Sequence, residues 1–384
     1  MIRKLIDAFR KTYGGAPDAA AFAPGRVNLI GEHTDYNGGH VLTCALEQGT
    51  FCAARARRDG VWRFRSLTVA GEGPVGPDEG RGRWSRYPYG VALALMGAGY
   101  AVDGGADLIF LGDLPFGAGL SSSASLEVAA GLAILRAHGL EAPMRELALL
   151  CQRAENEHVG VACGIMDQFI SAMARRDSAL FLDTGSLAYE YAPLPAAGAE
   201  LLIVNSRVKH SLAGSEYNVR RAQCGEALRI LAPLTGCAAL CELTPEEFEA
   251  CAGAIGDPVI LRRARHAVYE NHRTVRALEA LRRGEMRELG RLMNESHVSL
   301  RDDYEVSCPE LDALTALAWD TPGVLGARMT GGGFGGCMIC LAEAGAAAAL
   351  RERIYRDYPR LAGHQADFYP AVPGAGAHLI EWEA

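Results

Sequence analysis

The run Gly117-Ala-Gly-Leu-Ser-Ser-Ser-Ala-Ser125 lies between a strand-like apolar segment and a helix-like one. Its glycines let backbone N–H groups come close to an anion, and its serines add hydroxyl donors. A helix opening at its end aims the positive end of its dipole at the same point. The chain must therefore fold around a strand–loop–helix unit, and the loop reads as a phosphate cradle. The competing reading is an ordinary helix start, for which one capping serine suffices; three consecutive serines after two glycines exceed that need. A P-loop is excluded, because the only lysines are Lys4, Lys11 and Lys209 and none follows a glycine loop.

With 384 residues, 49% of them hydrophobic, the chain can bury a large core or two. A net charge of -8 disfavours a nucleic-acid-tracking surface, which needs excess Lys and Arg. The first residues, Met1-Ile-Arg-Lys-Leu-Ile-Asp7, carry no apolar signal region, and no uninterrupted apolar run reaches bilayer length, so no membrane association is expected. Eleven scattered cysteines form no disulfide framework, which fits a reducing, cytoplasmic setting. Cys337-Met-Ile-Cys340 has metal-site spacing, with Cys237 and Cys241 as conceivable partners. Its apolar context reads instead as a buried strand, where positions three apart face opposite sides.

Along the chain, residues 1–13 read as an amphipathic helix, Val27–Ile30 as an apolar stretch entering the polar loop Gly31–Gly39, and Val41–Leu46 and Thr50–Arg57 as two strands. The glycine- and proline-rich 70–83 stretch reads as a surface loop. Helices are expected over Tyr89–Met96, Ala124–His138, Arg145–His158, 216–232, 258–283 and 285–298. Strands are expected at Ala106–Leu111, Ala179–Leu182 and Leu201–Val204, with Pro193-Leu-Pro195 as a crossing between lobes. Mixed elements in irregular order imply an α+β fold of two lobes, 1–195 and 196–384, with a cleft between them.

Three further segments carry chemistry. Gly25-Arg-Val-Asn-Leu-Ile-Gly-Glu-His-Thr-Asp-Tyr-Asn-Gly-Gly39 gathers Arg26, Glu32, His33, Asp35 and Asn37, a density of donors and acceptors that suits a polyhydroxylated ligand. A solvated loop with Asp and Asn turns is the alternative; glycines at both ends favour binding. In Gln152–Gln168, Glu155 is either a metal carboxylate or part of a solvated helix face, and Asp167 either a base or a helix cap. In Thr330–Gly336, five glycines in the six positions from 331 imply close approach of the backbone to a loop or ligand, or a tight turn between lobes.

These four segments, in order from about residue 20 to residue 340, resemble the galactokinases, within the family that also holds homoserine, mevalonate and phosphomevalonate kinases. Ser215-Glu-Tyr-Asn-Val-Arg-Arg221 and Ser299–Leu311 extend the match. Thr43 departs from it, standing where the family usually has proline, and the 60–90 stretch matches loosely and is shortened. The resemblance implies an N-terminal lobe like the second domain of ribosomal protein S5 and a ferredoxin-like C-terminal lobe. It implies ATP and Mg²⁺ as cofactors, galactose as the small-molecule substrate, and no obligate protein partner. Residue by residue, it places Glu32, His33, Thr34, Asp35, Gly164 and Tyr217 on galactose. Gly117, Ala118, Gly119, Leu120, Ser121, Ser122, Ser123 and, more loosely, Ser66 fall on the nucleotide. Ser123 and Glu155 match magnesium ligands, Asp167 the proposed base and Arg26 its neighbour at the transferring phosphoryl group. A kinase for N-acetylgalactosamine or arabinose, or a non-catalytic galactose and ATP sensor, would share much of this pattern. The complete Ser123-Ala-Ser125 and the presence of Asp167 weigh against the sensor.

Overall fold

Strand β2 (His40–Ala56) is the longest extended segment and organises the first half of the chain. A computed structural model describes residues 1–68, 73–80, 83–114, 119–194, 198–209 and 213–382. The sequence suggests two strands here, split at Glu47-Gln-Gly49; the structure has one. The irregularity is absorbed as a register shift against β1 (Ala19–Ile30), between Pro24 and Arg26, rather than as a turn. Gly49 allows this: a Cβ there would lie 2.2 Å from the Ala23 carbonyl oxygen.

The second half of β2 pairs with β4 (Gly105–Gly112), which pairs in parallel with β3 (Val61–Ser66). Its first residues pair with β5 (Ser178–Asp183), which continues to β6 (Tyr189–Pro193). Strand β11 (His378–Leu379) returns to the outer edge of β1 and completes a seven-stranded sheet. Alternate residues face opposite sides. Ala20, Ala53, Ile109 and Leu111 receive Leu5, Ile6 and Phe9 of α1 (Ile2–Tyr13). Their neighbours Ala21, Cys52, Leu108 and Phe110 face the larger core under α2 (Arg86–Gly97), α3 (Ser122–Ala137), α4 (Met144–Ala154) and α5 (Met166–Met173).

The second sheet has the order β10-β7-β9-β8, with β7 (Ala199–Lys209), β8 (Val324–Thr330), β9 (Gly335–Glu343) and β10 (Asp367–Pro370) all antiparallel. Among the described residues, six α-helices complete this lobe: α6 (Ala213–Thr235), α7 (Pro245–Cys251), α8 (Pro258–Arg283), α9 (Met286–Asp302), α10 (Pro309–Trp319) and α11 (Ala346–Ala362). Cys337 and Cys340 are fully buried on β9, and all eleven cysteines are free. Cys337 packs in the cluster between the lobes and Cys340 in that of the second lobe, the opposite-face placement that the apolar context implies.

The two sheets share an apolar core. Val27, Leu29 and Leu42 from the first meet Ile203, Ile339 and Leu341 from the second, joined by Leu278 and Leu281 of α8 and Leu289, Leu292 and Met293 of α9. Each such side chain contributes roughly 1.5–3 kcal/mol when fully buried, so the lobes are fixed against one another rather than tethered. The C-terminal ends of β1 and β8 meet at one edge of this core, where Thr330 hydrogen-bonds to the Asn28 backbone, and carry the first loop and the late glycine loop into the same cleft. Among the described residues no helix is long and apolar enough to cross a membrane.

Candidate active site

Strand β1 places Arg26, and the loop that follows places Glu32 to Asp35. The loop is closed by its own polar groups. The Thr34 hydroxyl lies 2.8 Å from the carbonyls of both Gly31 and His40, and the Asn37 amide donates to the His33 carbonyl at 2.7 Å. Gly31 has a φ of 102°, and a Cβ there would lie 2.7 Å from the His40 carbonyl oxygen. His33 sits in the left-handed region at φ 64°, a conformation a non-glycine residue keeps only when its surroundings hold it.

The resulting cleft is lined by Arg26, Glu32, His33, Asp35, Glu155, Gly164, Asp167 and Tyr217, together with Val161, Cys163, Met166, Gly331 and Gly332. Eight side chains or backbone positions singled out from three separate sequence segments thus converge. Thr34 is not among the lining residues, since its hydroxyl serves the loop closure. Gly117 and Ala118 lie outside the described residues.

At the bottom of the cleft Arg26 Nε donates to Asp167 Oδ1 at 2.8 Å, and Arg26 Nη1 donates to the Gly119 carbonyl at 2.7 Å. The Arg26 backbone N–H donates to the Leu120 carbonyl at 3.2 Å. One arginine therefore ties the carboxylate to the serine loop. Ser121, the residue before α3, is left-handed at φ 57° and makes no side-chain cap to the helix. Its hydroxyl is buried without a hydrogen-bond partner among the described residues. The helix start is therefore not closed by its serine, as the ordinary-cap reading requires. Ser125, by contrast, is structural and donates to the Ala23 carbonyl at 2.8 Å.

Ser66, at the end of β3, faces a second, more apolar pocket beside this loop, with Thr68, Trp84, Phe110, Ser122 and Leu126. A flat heteroaromatic group fits such walls, and Ser122 joins the pocket to the serine loop.

Glu155 was expected on an α-helix. It begins a wider turn instead, Glu155–Val159, in which the Gly160 N–H donates to the Glu155 carbonyl five residues back. The Gln168 amide donates to Glu155 at 2.6 Å and to Glu127 at 3.1 Å. Sequence reading missed Glu127; the signal was a carboxylate inside the otherwise apolar α3. Burial and then the Glu155 charge push Glu127 upward, while burial and then the Asp167 charge push Glu155 up to about 7, against the pull of Ser123 and Gln168. A divalent cation would offset that repulsion. Among the described residues no group of three or more His, Cys, Asp or Glu is placed to hold a metal.

Glu32 is almost fully buried. One carboxylate oxygen accepts the Gly331 N–H at 2.8 Å and the other pairs with the buried Arg328 guanidinium. Arg328 also donates to the Leu29 carbonyl at 3.1 Å. His33 is pushed down to about 3 by burial and by neighbouring cations, so its ring is neutral. Tyr36, absent from the sequence-derived set, hydrogen-bonds to His33 Nδ1 at 2.7 Å.

Asp35 is pushed up to about 7, first by burial and then by Asp167. A carboxyl with an ordinary value near 3.8 in the unfolded chain then holds its proton more tightly in the fold. Stability falls as pH rises from about 4 to about 7, and the deficit is complete above 7. Asp35→Asn removes it, so the ligand-free variant should melt a few degrees higher than wild type at pH 8, for about 2 kcal/mol after allowance for water in the open cleft. At pH 5 the difference should shrink. A scanning-calorimetry gain of equal size at both pH values would contradict this.

A buried sugar-type loop, a serine loop and a carboxylate–arginine pair in one interlobe cleft define a small-molecule kinase of the GHMP fold. Two family models agree: GHMP kinases N terminal domain over residues 86–175 and GHMP kinases C terminal over 277–360. The Galactokinase galactose-binding signature matches residues 7–56. A galactokinase of Bacillus subtilis (strain 168) is 45% identical over 94% of both chains. One of Enterococcus faecalis is 45% identical over 98% of this chain and 99% of its own. The structure of Lactococcus lactis galactokinase complexed with galactose superposes with a TM-score of 0.95 at 40% identity, covering 98% of this chain and 99% of that one. L. major mevalonate kinase in complex with R-mevalonate shares the fold, with a TM-score of 0.63 at 19% identity over 92% of this chain and 96% of its own. The chain belongs to the galactokinase family.

Proposed function

We propose that the cleft transfers the terminal phosphoryl group of ATP to the anomeric hydroxyl of galactose, giving galactose 1-phosphate. The observation that carries this reading is the Arg26 bridge, which joins Asp167 to the Gly119 carbonyl of the serine loop at the floor of a sugar-sized polar cleft. Phosphoryl transfer needs alignment and charge neutralisation more than covalent help from the protein. Asp167 accepts the proton of the attacking hydroxyl, late in the step, once bonding to phosphorus has made that hydroxyl acidic. Arg26 offsets charge on the transferring group. The loop from Gly117 to Ser123 holds the phosphates, and Ser66 borders the base. Ser123 and Glu155 would hold Mg²⁺, which when bound neutralises charge on the phosphate oxygens. Glu32, His33, Asp35, Gly164 and Tyr217 form the sugar side, with Thr34 shaping the loop behind them.

In this reading the lobes are residues 1–195, of the ribosomal protein S5 domain 2 type, and 196–384, of ferredoxin-like type, the latter sending β11 back to the first sheet. The partners are small molecules in the cytoplasm. Epimer choice follows from pairing one axial hydroxyl: the wrong epimer leaves buried polar groups unpaired, a loss of about 10⁴-fold in sites of this kind. ADP release measured with galactose, glucose, N-acetylgalactosamine and arabinose tests the assignment. Galactose should be turned over and glucose poorly. Comparable kcat/KM for galactose and glucose would defeat the epimer argument, a preference for either other sugar would reassign the substrate, and no turnover with any of them would defeat the kinase reading.

A further inference from the structure

The segment Ser299–Leu311 matches the family pattern, yet none of its side chains lines the cleft. At its centre Tyr304, Glu305 and Val306 touch all three elements that wall the sugar side. The Tyr304 side chain is fully buried. Its hydroxyl lies 2.8 Å from the Tyr36 hydroxyl, which in turn lies 2.7 Å from His33 Nδ1. The Tyr304 ring packs between the rings of His33 and His266, with centroids 4.7 and 4.4 Å away. That is the first wall.

The second wall is α6, which carries Tyr217. Arg220, one turn further on, donates from Nε to the Tyr304 carbonyl and from Nη2 to the Glu305 carbonyl, both at 2.8 Å. The third is the late glycine loop. The Phe334 N–H donates to the Val306 carbonyl at 2.7 Å, and the Arg220 guanidinium lies 5.5 Å from the centroid of the Phe334 ring. The approach is so close that a Cβ on Gly333 would stand 2.3 Å from the Val306 carbonyl oxygen. Glu305 and Phe334 are both left-handed, at φ 56° and 59°, conformations that this network holds in place.

We infer that the Tyr304–Val306 turn, gripped by Arg220, is a brace that sets the mutual positions of His33, Tyr217 and Gly331-Gly332, and that Tyr304 and Arg220 are positioning residues for the sugar and not for the nucleotide. This turn touches all three walls at once, besides the contacts, such as that of Glu32 with the Gly331 N–H, that hold each wall separately. The serine loop and the pocket around Ser66 are held by other contacts, from Arg26 and the first sheet. Weakening the brace therefore disturbs sugar binding and leaves ATP alone.

The inference rests on the galactose reading of the cleft, and its test separates the two. Tyr304→Phe keeps the ring and removes one hydroxyl; Arg220→Lys keeps the charge and loses the two-pronged grip on the carbonyls. Each should raise KM for galactose about tenfold, the worth of one or two buried hydrogen bonds, with kcat and KM for ATP within about twofold of wild type. Galactose affinity measured by calorimetry without nucleotide should fall by the same factor. Because the Tyr304 hydroxyl acts through Tyr36, adding Tyr304→Phe to Tyr36→Phe should cost little more than Tyr36→Phe alone. An unchanged galactose KM in both variants would overturn the brace. So would equal losses for galactose and ATP with a lowered melting temperature, the signature of a merely structural role, or additive effects in the double variant. If the wild type prefers another sugar, the reading of the substrate fails while the same ratios, taken with that sugar, still decide the brace.

Discussion

Asp167→Asn should lower kcat about a thousandfold while changing KM for galactose by less than about threefold. Asparagine has the shape of aspartate and keeps an oxygen for Arg26 Nε, now 2.8 Å from Asp167 Oδ1. It cannot take up a proton. Substrate would still bind, because the groups proposed to read the sugar lie along the loop from Glu32 to Asp35 and on α6. Only the step in which the hydroxyl loses its proton is impaired. Steady-state kinetics at saturating ATP check this, and near-normal turnover in the Asn variant would remove Asp167 from the role of base.

The second large effect comes from one methyl group. A Cβ on Gly164 would stand 1.9 Å from Asp35 Oδ2 and 2.3 Å from its Cγ. The obstacle is the end of a short side chain rather than backbone, so Gly164→Ala should fold, with Asp35 swung out of the cleft. Expected is a rise of about a hundredfold in KM for galactose, the cost of one displaced buried hydrogen-bonding carboxyl group, with KM for ATP unchanged. Thermal melting and the two KM values measured together decide it. A variant with wild-type galactose KM would mean that Asp35 does not read the sugar from its present position.

Much of this was legible in the sequence because it is local. The helix over residues 1–13 and the strands either side of the late glycine loop follow from periodicity and from apolar runs bounded by polar or glycine-rich turns. The polar loop and the serine loop are each contiguous, so their chemistry showed without a fold. What was hidden depends on contacts distant in sequence. Nothing local marks Glu47-Gln-Gly49 as a bulge inside one strand; that is decided by pairing with β1. Helix α11 and strand β11 passed unnoticed, the latter because two residues have no pattern until β1 pairs with them. Glu155 read as helical because a wider turn uses the same residues as an α-helix. Thr34 looked like one more sugar-facing group because sequence shows that a hydroxyl is present and not which way it turns. Tyr36 and Tyr304 are 268 residues apart and became a pair only in the fold.

Glu32 holds the backbone of Gly331 and the guanidinium of Arg328, both from the second lobe, and faces the cleft with what remains. On the proposed function, the seam of the molecule and the reading head for its substrate are the same carboxylate. A protein built this way cannot part its lobes like a hinge without losing its grip on the ligand. Loosening the apolar contact between the sheets, far from any sugar, would register first as blurred discrimination between sugars and only later as unfolding.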